Sequence, residues 1–134
     1  MFCREHVAQL RDHEAAFREK HARLAAIGLG DAHYAQIFRK ESGITFPLLV
    51  DEQREAYRAA GLASANLLHL FRGDNFAARK RANLAGFRQY GLGKNPFQLG
   101  GSFVFGPGHV DRFAHLSDTF SDRAPVSALL AALP

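Results

Sequence analysis

The order of predicted helices and strands makes this 134-residue chain an α/β protein, a single-domain sandwich built around a mixed sheet. Three observations support this. An amphipathic helical pattern opens the chain, two short apolar runs each lead through an aspartate into a helix, and a hairpin with a Gly-Pro-Gly turn precedes a last helix. Alternating strands and helices favour parallel pairing, whereas a hairpin is antiparallel, so both kinds of pairing are expected.

The first helix is predicted over residues 3–22, because apolar residues recur there at intervals of three and four. This spacing places Cys3 in the first turn, on the face that also carries Leu10 and Phe17. Phe2 has no side-chain oxygen, so we expect this helix to begin without an N-terminal cap.

A strand and a helix are predicted next, over residues 23–29 and 32–41. The apolar residues of the strand do not alternate with polar ones, which predicts burial on both faces. Asp31 is placed to cap the start of the helix, and Gly43 to end it in a left-handed conformation.

A second such unit follows, with a strand over residues 44–50 and a helix over residues 53–60. Pro47 has no N–H to donate, so the strand is expected to be an edge strand or to be irregular around this residue. Asp51 is the predicted cap of the helix, and Gly61 its stop signal.

The middle of the chain is predicted to be largely helical over residues 64–90, with a break at 73–75 and a loop over 91–95. Six basic residues and one acidic residue lie between Phe71 and Lys94, interleaved with aromatic residues. Such a stretch can bind nucleic acid through phosphate contacts and base stacking. A solvated helix face is favoured instead, because no nucleic-acid-binding motif accompanies the charge.

The clearest β signal comes late, in two strands over residues 102–105 and 110–116. The Pro-Gly pair at 107–108 suits the two central positions of a type II turn. A polar loop over 117–123 then leads to a last helix over 126–133, which has a proline near its first position.

Composition is that of an ordinary globular protein, with 47% hydrophobic and 22% charged residues and a formal net charge of +4. A single cysteine cannot form an internal disulfide, and no run of 18 apolar residues is present, so the cytoplasm is the expected location and no membrane contact is expected.

No cofactor or metal site is predicted. The glycines at 28–30 follow a strand, but His33 stands where a dinucleotide-binding loop needs its third glycine. The seven histidines include no pair with metal-ligand spacing, and Ser102 and Ser117 lack the context of a catalytic nucleophile.

Cys3 has two interpretations at this stage. The first turn of a helix carries free N–H groups and the positive end of the helix dipole, which favour a reactive thiolate. A cysteine on an apolar helix face is, however, usually a small buried hydrophobic residue.

Several segments resemble the peroxiredoxin-like 2 branch of the thioredoxin superfamily, a group of AhpC/TSA antioxidant proteins. Residues 2–10 (FCREHVAQL) resemble the start of the helix that follows the family's C-x-x-C motif. Residues 27–30 (IGLG) resemble the family's next strand, and residues 45–51 (TFPLLVD) resemble its F-P-x-x-x-D segment after the second helix. Residues 98–108 (QLGGSFVFGPG) are similar to the late hairpin. The resemblance implies a thioredoxin-like sandwich.

The chain also departs from the family pattern. Cys3 corresponds to the second cysteine of C-x-x-C, so the first cysteine and its strand would lie before Met1, and the chain is expected to be truncated within this motif. Typical peroxiredoxins place a peroxide-polarising arginine just before the late hairpin, where this chain has Gly100 and Gly101.

The resemblance implies a thiol-dependent redox protein of low activity, with Cys3 as its one redox residue and Arg4 supporting the thiolate electrostatically. A peroxide or disulfide would be its substrate and an external thiol its reductant. The alternative is a non-catalytic thioredoxin-fold module for protein binding or self-association as a homodimer.

Overall fold

The computed structural model describes residues 2–62 and 98–134, apart from the side chains of Phe2 and Cys3. Within them lie five helices, α1 (Phe2–Asp12), α2 (Glu14–Glu19), α3 (Ala32–Ser42), α4 (Glu55–Ala59) and α5 (Val126–Ala131). The same residues form four strands, β1 (Ala26–Gly28), β2 (Leu48–Val50), β3 (Gly101–Gly106) and β4 (Val110–Leu116). The predicted helical region at 64–90 with its break, the loop at 91–95 and the basic stretch fall outside the described residues.

The first helix is interrupted at His13, so the prediction of one continuous helix over 3–22 was wrong. The His13 ring nitrogen Nδ1 lies 2.8 Å from the carbonyl oxygen of Gln9, the acceptor that the His13 backbone N–H would use in a continuous α-helix. That N–H donates instead to Leu10, one residue closer in the chain. The chain restarts as α2, and His21 closes this region in a left-handed conformation at φ 58°.

Helix α3 begins and ends as its sequence predicts. The Asp31 side chain accepts a hydrogen bond of 3.0 Å from the backbone N–H of Tyr34, as an N-cap does. Gly43 adopts φ 66° and donates its N–H to Arg39, which satisfies a carbonyl of the last turn.

Asp51 caps α4, although not from the position directly before the helix. Its two carboxylate oxygens accept from the backbone N–H groups of Glu55 at 2.8 Å and Tyr57 at 3.1 Å. Arg54 occupies the residue before the helix in a left-handed conformation, so the helix starts two residues later than predicted. Gly61 follows it at φ 72°, in agreement with its predicted role as a stop.

Strands β1 and β2 pair in parallel, with Ile27 opposite Leu49. Pro47 lies just before β2 and still contributes its carbonyl to Ala26, so the strand is irregular at the proline and shorter than predicted. Helix α3 packs against β2. Ile27 is nonetheless 46% exposed, and the prediction of a strand buried on both faces was therefore wrong.

Strands β3 and β4 form the predicted late hairpin, but its turn is one residue longer than expected. Gly106 pairs with Val110, which leaves three residues in the turn. Gly108 has the positive φ expected of it, 75°, and His109 is also left-handed at φ 61°.

The described strands form two separate two-stranded sheets, one parallel and one antiparallel, where a single mixed sheet was expected. Both kinds of pairing are present, and the α/β arrangement is consistent with a thioredoxin-like fold. The core that joins the elements contains the buried side chains of Phe17 from α2, Val104 from β3, and Ala124 and Leu129 near the C-terminus. Leu10, near the end of α1, packs against this core and links the first helix to the C-terminal segment.

Candidate functional site

Cys3 lies in the first turn of α1, as the sequence predicts. Backbone N–H groups of this turn have no partner within the helix, and the positive end of the helix dipole lies there. Both favour a negatively charged sulfur over a neutral thiol.

Arg4, the second predicted site residue, is directed toward α3. Its guanidinium donates to the Glu41 carboxylate at 2.6 Å and lies 5.1 Å from the centre of the Phe38 ring. Glu41 therefore offsets part of the positive charge of Arg4. These contacts also fix the first turn of α1 against the last turns of α3.

A second basic residue ties the other end of α1 to the same helix. Arg11 donates a hydrogen bond to the carbonyl oxygen of Ser42, which is the last residue of α3, and forms an ion pair with Asp12 at 2.8 Å. Together with Arg4, this contact holds α1 against α3 along most of its length.

Glu5 and Arg123 form the most buried ion pair found among the described residues. The Arg123 guanidinium lies 3.0 Å from a Glu5 carboxylate oxygen, and the two side chains are only 17% and 7% exposed. The pair crosses from the first turn of α1 to the end of the loop over residues 117–123. A buried charge without its partner is costly, so this contact constrains where α1 can begin relative to the loop.

His6 lies beside this ion pair with both ring nitrogens shielded from solvent. Neither nitrogen has a hydrogen-bond partner among the described residues. Burial lowers the pKa of His6 from 6.5 to about 4, the charges of Arg123 and His115 add to this effect, and Glu5 opposes it. The ring is therefore neutral at pH 7, with one nitrogen as a donor and the other as an acceptor.

The loop opposite His6 is held by Asp122. One of its carboxylate oxygens lies 2.9 Å from Nε2 of His115 on β4, and the other accepts from the backbone N–H of Asp118 at 2.8 Å. The Thr119 hydroxyl in turn accepts from the Asp122 backbone N–H. This network fixes the polar loop and the position of Arg123 at its end.

The two glycines before and at the start of β3 differ in the space around them. A Cβ atom at Gly101 would lie 2.9 Å from the backbone oxygen of His115 and 2.7 Å from a methyl carbon of Leu62, whereas Gly100 has no atom within 4 Å of that position. Where the family resemblance implies an arginine, only residue 100 has room for a side chain.

No three His, Cys, Asp or Glu side chains come together to hold a metal ion in residues 2–62 and 98–134. None of the helices described here has both the length and the apolar character needed to cross a bilayer.

Sequence reasoning singled out Cys3 and Arg4 but missed the polar cluster that begins in the same helical turn. The structure brings Glu5, His6 and Arg123 together with the His115–Asp122 pair. The local signal was the spacing of three residues between Cys3 and His6, which places both on one helix face. No local pattern relates Arg123 to α1, because the two segments lie at opposite ends of the chain.

Comparisons with known proteins agree with the family resemblance. The profile of the AhpC/TSA antioxidant enzyme family matches residues 9–119. The chain is similar to peroxiredoxin-like 2C from Homo sapiens and from Mus musculus, 26% identical in each case over 96% of this chain and 61% of the relative. The Bos taurus protein of that name is 25% identical, over 96% of this chain and 60% of its own length. The chain thus spans about three fifths of the length of these relatives. No solved structure matches it significantly.

Proposed function

Since the chain belongs to the AhpC/TSA antioxidant enzyme family, we propose that it is a thiol-dependent redox protein that reduces peroxides or disulfides through Cys3. The observation that carries the proposal is the position of the chain's one cysteine in the first turn of α1. A helix N-terminus lowers a thiol pKa and so raises the fraction present as the reactive thiolate. The family match begins after Cys3, so the role of this residue is part of the proposal.

A single cysteine permits a monothiol cycle with an external thiol. The Cys3 thiolate attacks one peroxide oxygen, the O–O bond breaks, and the sulfur becomes a sulfenic acid while the second oxygen leaves as water or an alcohol after taking up a proton. An external thiol then displaces water from the sulfenic acid and forms a mixed disulfide. A second external thiol releases the Cys3 thiol, and the two reductant molecules leave joined as a disulfide.

A disulfide substrate enters the same cycle at the mixed disulfide. The Cys3 thiolate attacks one sulfur of the substrate and one substrate thiolate leaves. An external thiol then attacks the sulfur of the bound substrate half, which releases Cys3 and leaves the substrate half joined to the external thiol as a disulfide, and a second external thiol frees that half. Low activity is part of the proposal, because one cysteine cannot complete an intramolecular dithiol cycle. A single thioredoxin-like domain and a cytoplasmic location, where thiol reductants are plentiful, belong to the same proposal.

Arg4 has a supporting role in this proposal. Its position next to Cys3 in the chain brings a positive charge near the thiolate. The Glu41 carboxylate lies 2.6 Å from the Arg4 guanidinium and partly neutralises that charge. We therefore assign the larger effect on thiolate stability to the helix N-terminus and the smaller one to Arg4.

The proposal is tested with the purified protein and its Cys3→Ser variant. Peroxide consumption is followed with dithiothreitol as the reductant, and intact mass is recorded after treatment with peroxide or with oxidised glutathione. We expect turnover, the sulfenic acid and the glutathione adduct in the unmodified protein only. Equal turnover by a folded Cys3→Ser variant would reject the redox role of this residue.

An exposed apolar sheet face favours a second candidate function, self-association through a second copy of the chain. Ile27 and Leu49 are register partners on β1 and β2, and they are 46% and 54% exposed. Parallel sheets are normally covered on both faces, whereas here α3 packs on one face, against β2. In this alternative the chain is a non-catalytic thioredoxin-fold module and Cys3 is inert.

A further inference from the structure

We propose that an extended, acidic peptide segment of another protein docks in the groove between α3 and the outer edge of β2, where it adds a strand to β2. The inference goes beyond the proposed redox function, because it involves neither Cys3 nor its chemistry. Three observations carry it: the outward backbone groups of β2, the groove beside them, and the positive charge of that groove.

Strand β2 has one edge that pairs with β1 and one edge that pairs with no other described strand. The Pro47 carbonyl accepts from the Ala26 N–H, so this residue faces β1. Backbone groups of successive residues in a strand point to alternate edges, so those of Leu48 and Val50 point away from β1. In the described part of the chain, neither residue forms a backbone hydrogen bond outside the sheet. An exposed edge of this kind is a template for a further strand.

A groove of about 200 Å³ lies beside this edge. Leu48 and Val50 of β2 form one wall of it, and Val50 is 40% exposed. The other wall is one face of α3, made of residues at spacings of three and four: Ala32, Ala35, Gln36 and Arg39. Among the described residues, none from β1 lines the groove, so it opens on the outer side of β2. The short alanine side chains leave space in which side chains of an added strand can pack.

The groove is positively charged. Arg39 lines it, is exposed, and has no ion pair with another described residue. No carboxylate of the described residues lines the groove, and Glu41, two residues further along α3, already binds Arg4. An acidic side chain on the docked segment therefore gains a partner in Arg39, which favours acidic over basic peptides.

The same charge argues against a second copy of the chain as the occupant. A two-fold contact through this edge would bring the same surface of both copies together. Each copy would then present Arg39 and no acidic lining residue from its described part. Like charges at such a contact are unfavourable, whereas a different protein can supply the carboxylate.

The experiment begins with a phage-displayed library of random heptapeptides, selected on the purified protein. We expect the enriched peptides to contain aspartate or glutamate. The most enriched peptide is synthesised with a fluorophore, and its affinity is measured by fluorescence anisotropy. Arg39→Glu should weaken binding by about five- to tenfold, because an attraction becomes a repulsion. Lys40→Glu is the matched control, since it makes the same charge change in the same helical turn but does not line the groove, and it should weaken binding by less than about twofold.

A second measurement uses the unmodified protein, labelled with ¹⁵N. The synthetic peptide should shift the amide signals of Leu48 and Val50 and slow their hydrogen exchange, while the amide of Val104 on the hairpin sheet stays unchanged. The inference is overturned if no peptide is enriched, if Arg39→Glu and Lys40→Glu bind equally well, or if the amides of Leu48 and Val50 do not respond. Protection of these two amides in a peptide-free dimer would also overturn it, in favour of a second copy. Peptide binding involves no thiol, so none of these outcomes depends on the peroxide assay that tests the proposed function.

Discussion

At the scale of single residues, two adjacent glycines differ in whether a larger residue can replace them. Gly101 has no space for a Cβ atom, because the His115 backbone oxygen and a Leu62 methyl group would lie at 2.9 and 2.7 Å from it. Gly100 is open. We expect Gly101→Ala to lower the free energy of unfolding by about 1–3 kcal/mol and Gly100→Ala to change it by less than about 0.5 kcal/mol. Urea unfolding of both variants checks this, and equal stability of the two would contradict the contacts described for β3.

The free energy of unfolding depends on pH through the titration of His6. Its folded-state pKa is lowered to about 4, below the ordinary value of 6.5, so between these values the unfolded chain binds a proton that the folded chain does not. Stability from this group is therefore fully present above about pH 6.5 and is lost as the pH falls toward 4. We expect about 2–3 kcal/mol of the loss between pH 7.5 and 4.5 to come from His6.

The measurement is urea unfolding at these two pH values for the unmodified protein, His6→Gln and, as a control, His33→Gln. Carboxylates contribute to acid destabilisation in all three proteins, so only the difference between variants reports on His6. His6→Gln should lose less stability on acidification than the other two. Parallel losses in all three would mean that the folded protein does not oppose protonation of His6.

At the scale of elements, the buried pair of Glu5 and Arg123 joins α1 to the loop that leads into α5. Arg123→Leu leaves the Glu5 carboxylate without this partner and should cost about 2–4 kcal/mol of stability. The double variant with Glu5→Gln should recover part of that loss, since the buried negative charge is then gone. Thermal or urea unfolding of the single and double variants gives the coupling energy.

Arg18→Leu is the control, since Arg18 pairs with Glu14 at 3.5 Å and is 75% exposed. Pairs of this kind contribute about 0–1 kcal/mol. Similar losses in Arg18→Leu and Arg123→Leu would show that burial does not strengthen the pair between α1 and the loop.

These elements also show which structural features the sequence could predict. The cap at Asp31 and the stop at Gly43 were predicted correctly, because each acts within one turn of α3. The break at His13 was not, since it depends on a ring nitrogen competing for a backbone carbonyl. The partnership of Glu5 with Arg123 joins distant segments, and no local periodicity contains it.

At the scale of the whole molecule, the late hairpin and the two strand–helix units were predicted, but the separation of the described strands into two sheets was not. Hairpins and strand–helix units follow from local patterns, whereas joining pairs into one sheet depends on contacts between distant segments. The same separation leaves one face of β1 and β2 exposed, with Ile27 and Leu49 side by side on it. The prediction of self-association belongs to this scale.

If a second copy covers this face, the protein sediments as a concentration-dependent dimer, because burying two large apolar side chains on each copy favours association. The double variant Ile27→Ser and Leu49→Ser should shift the population to monomer in sedimentation velocity, with the circular dichroism spectrum unchanged. Phe105→Ser is the comparison, because Phe105 is 66% exposed on the separate hairpin sheet. Loss of the dimer in Phe105→Ser alone would show that the copies associate through the hairpin sheet instead. If the unmodified protein is a monomer, self-association is rejected and the redox function is the one that remains supported.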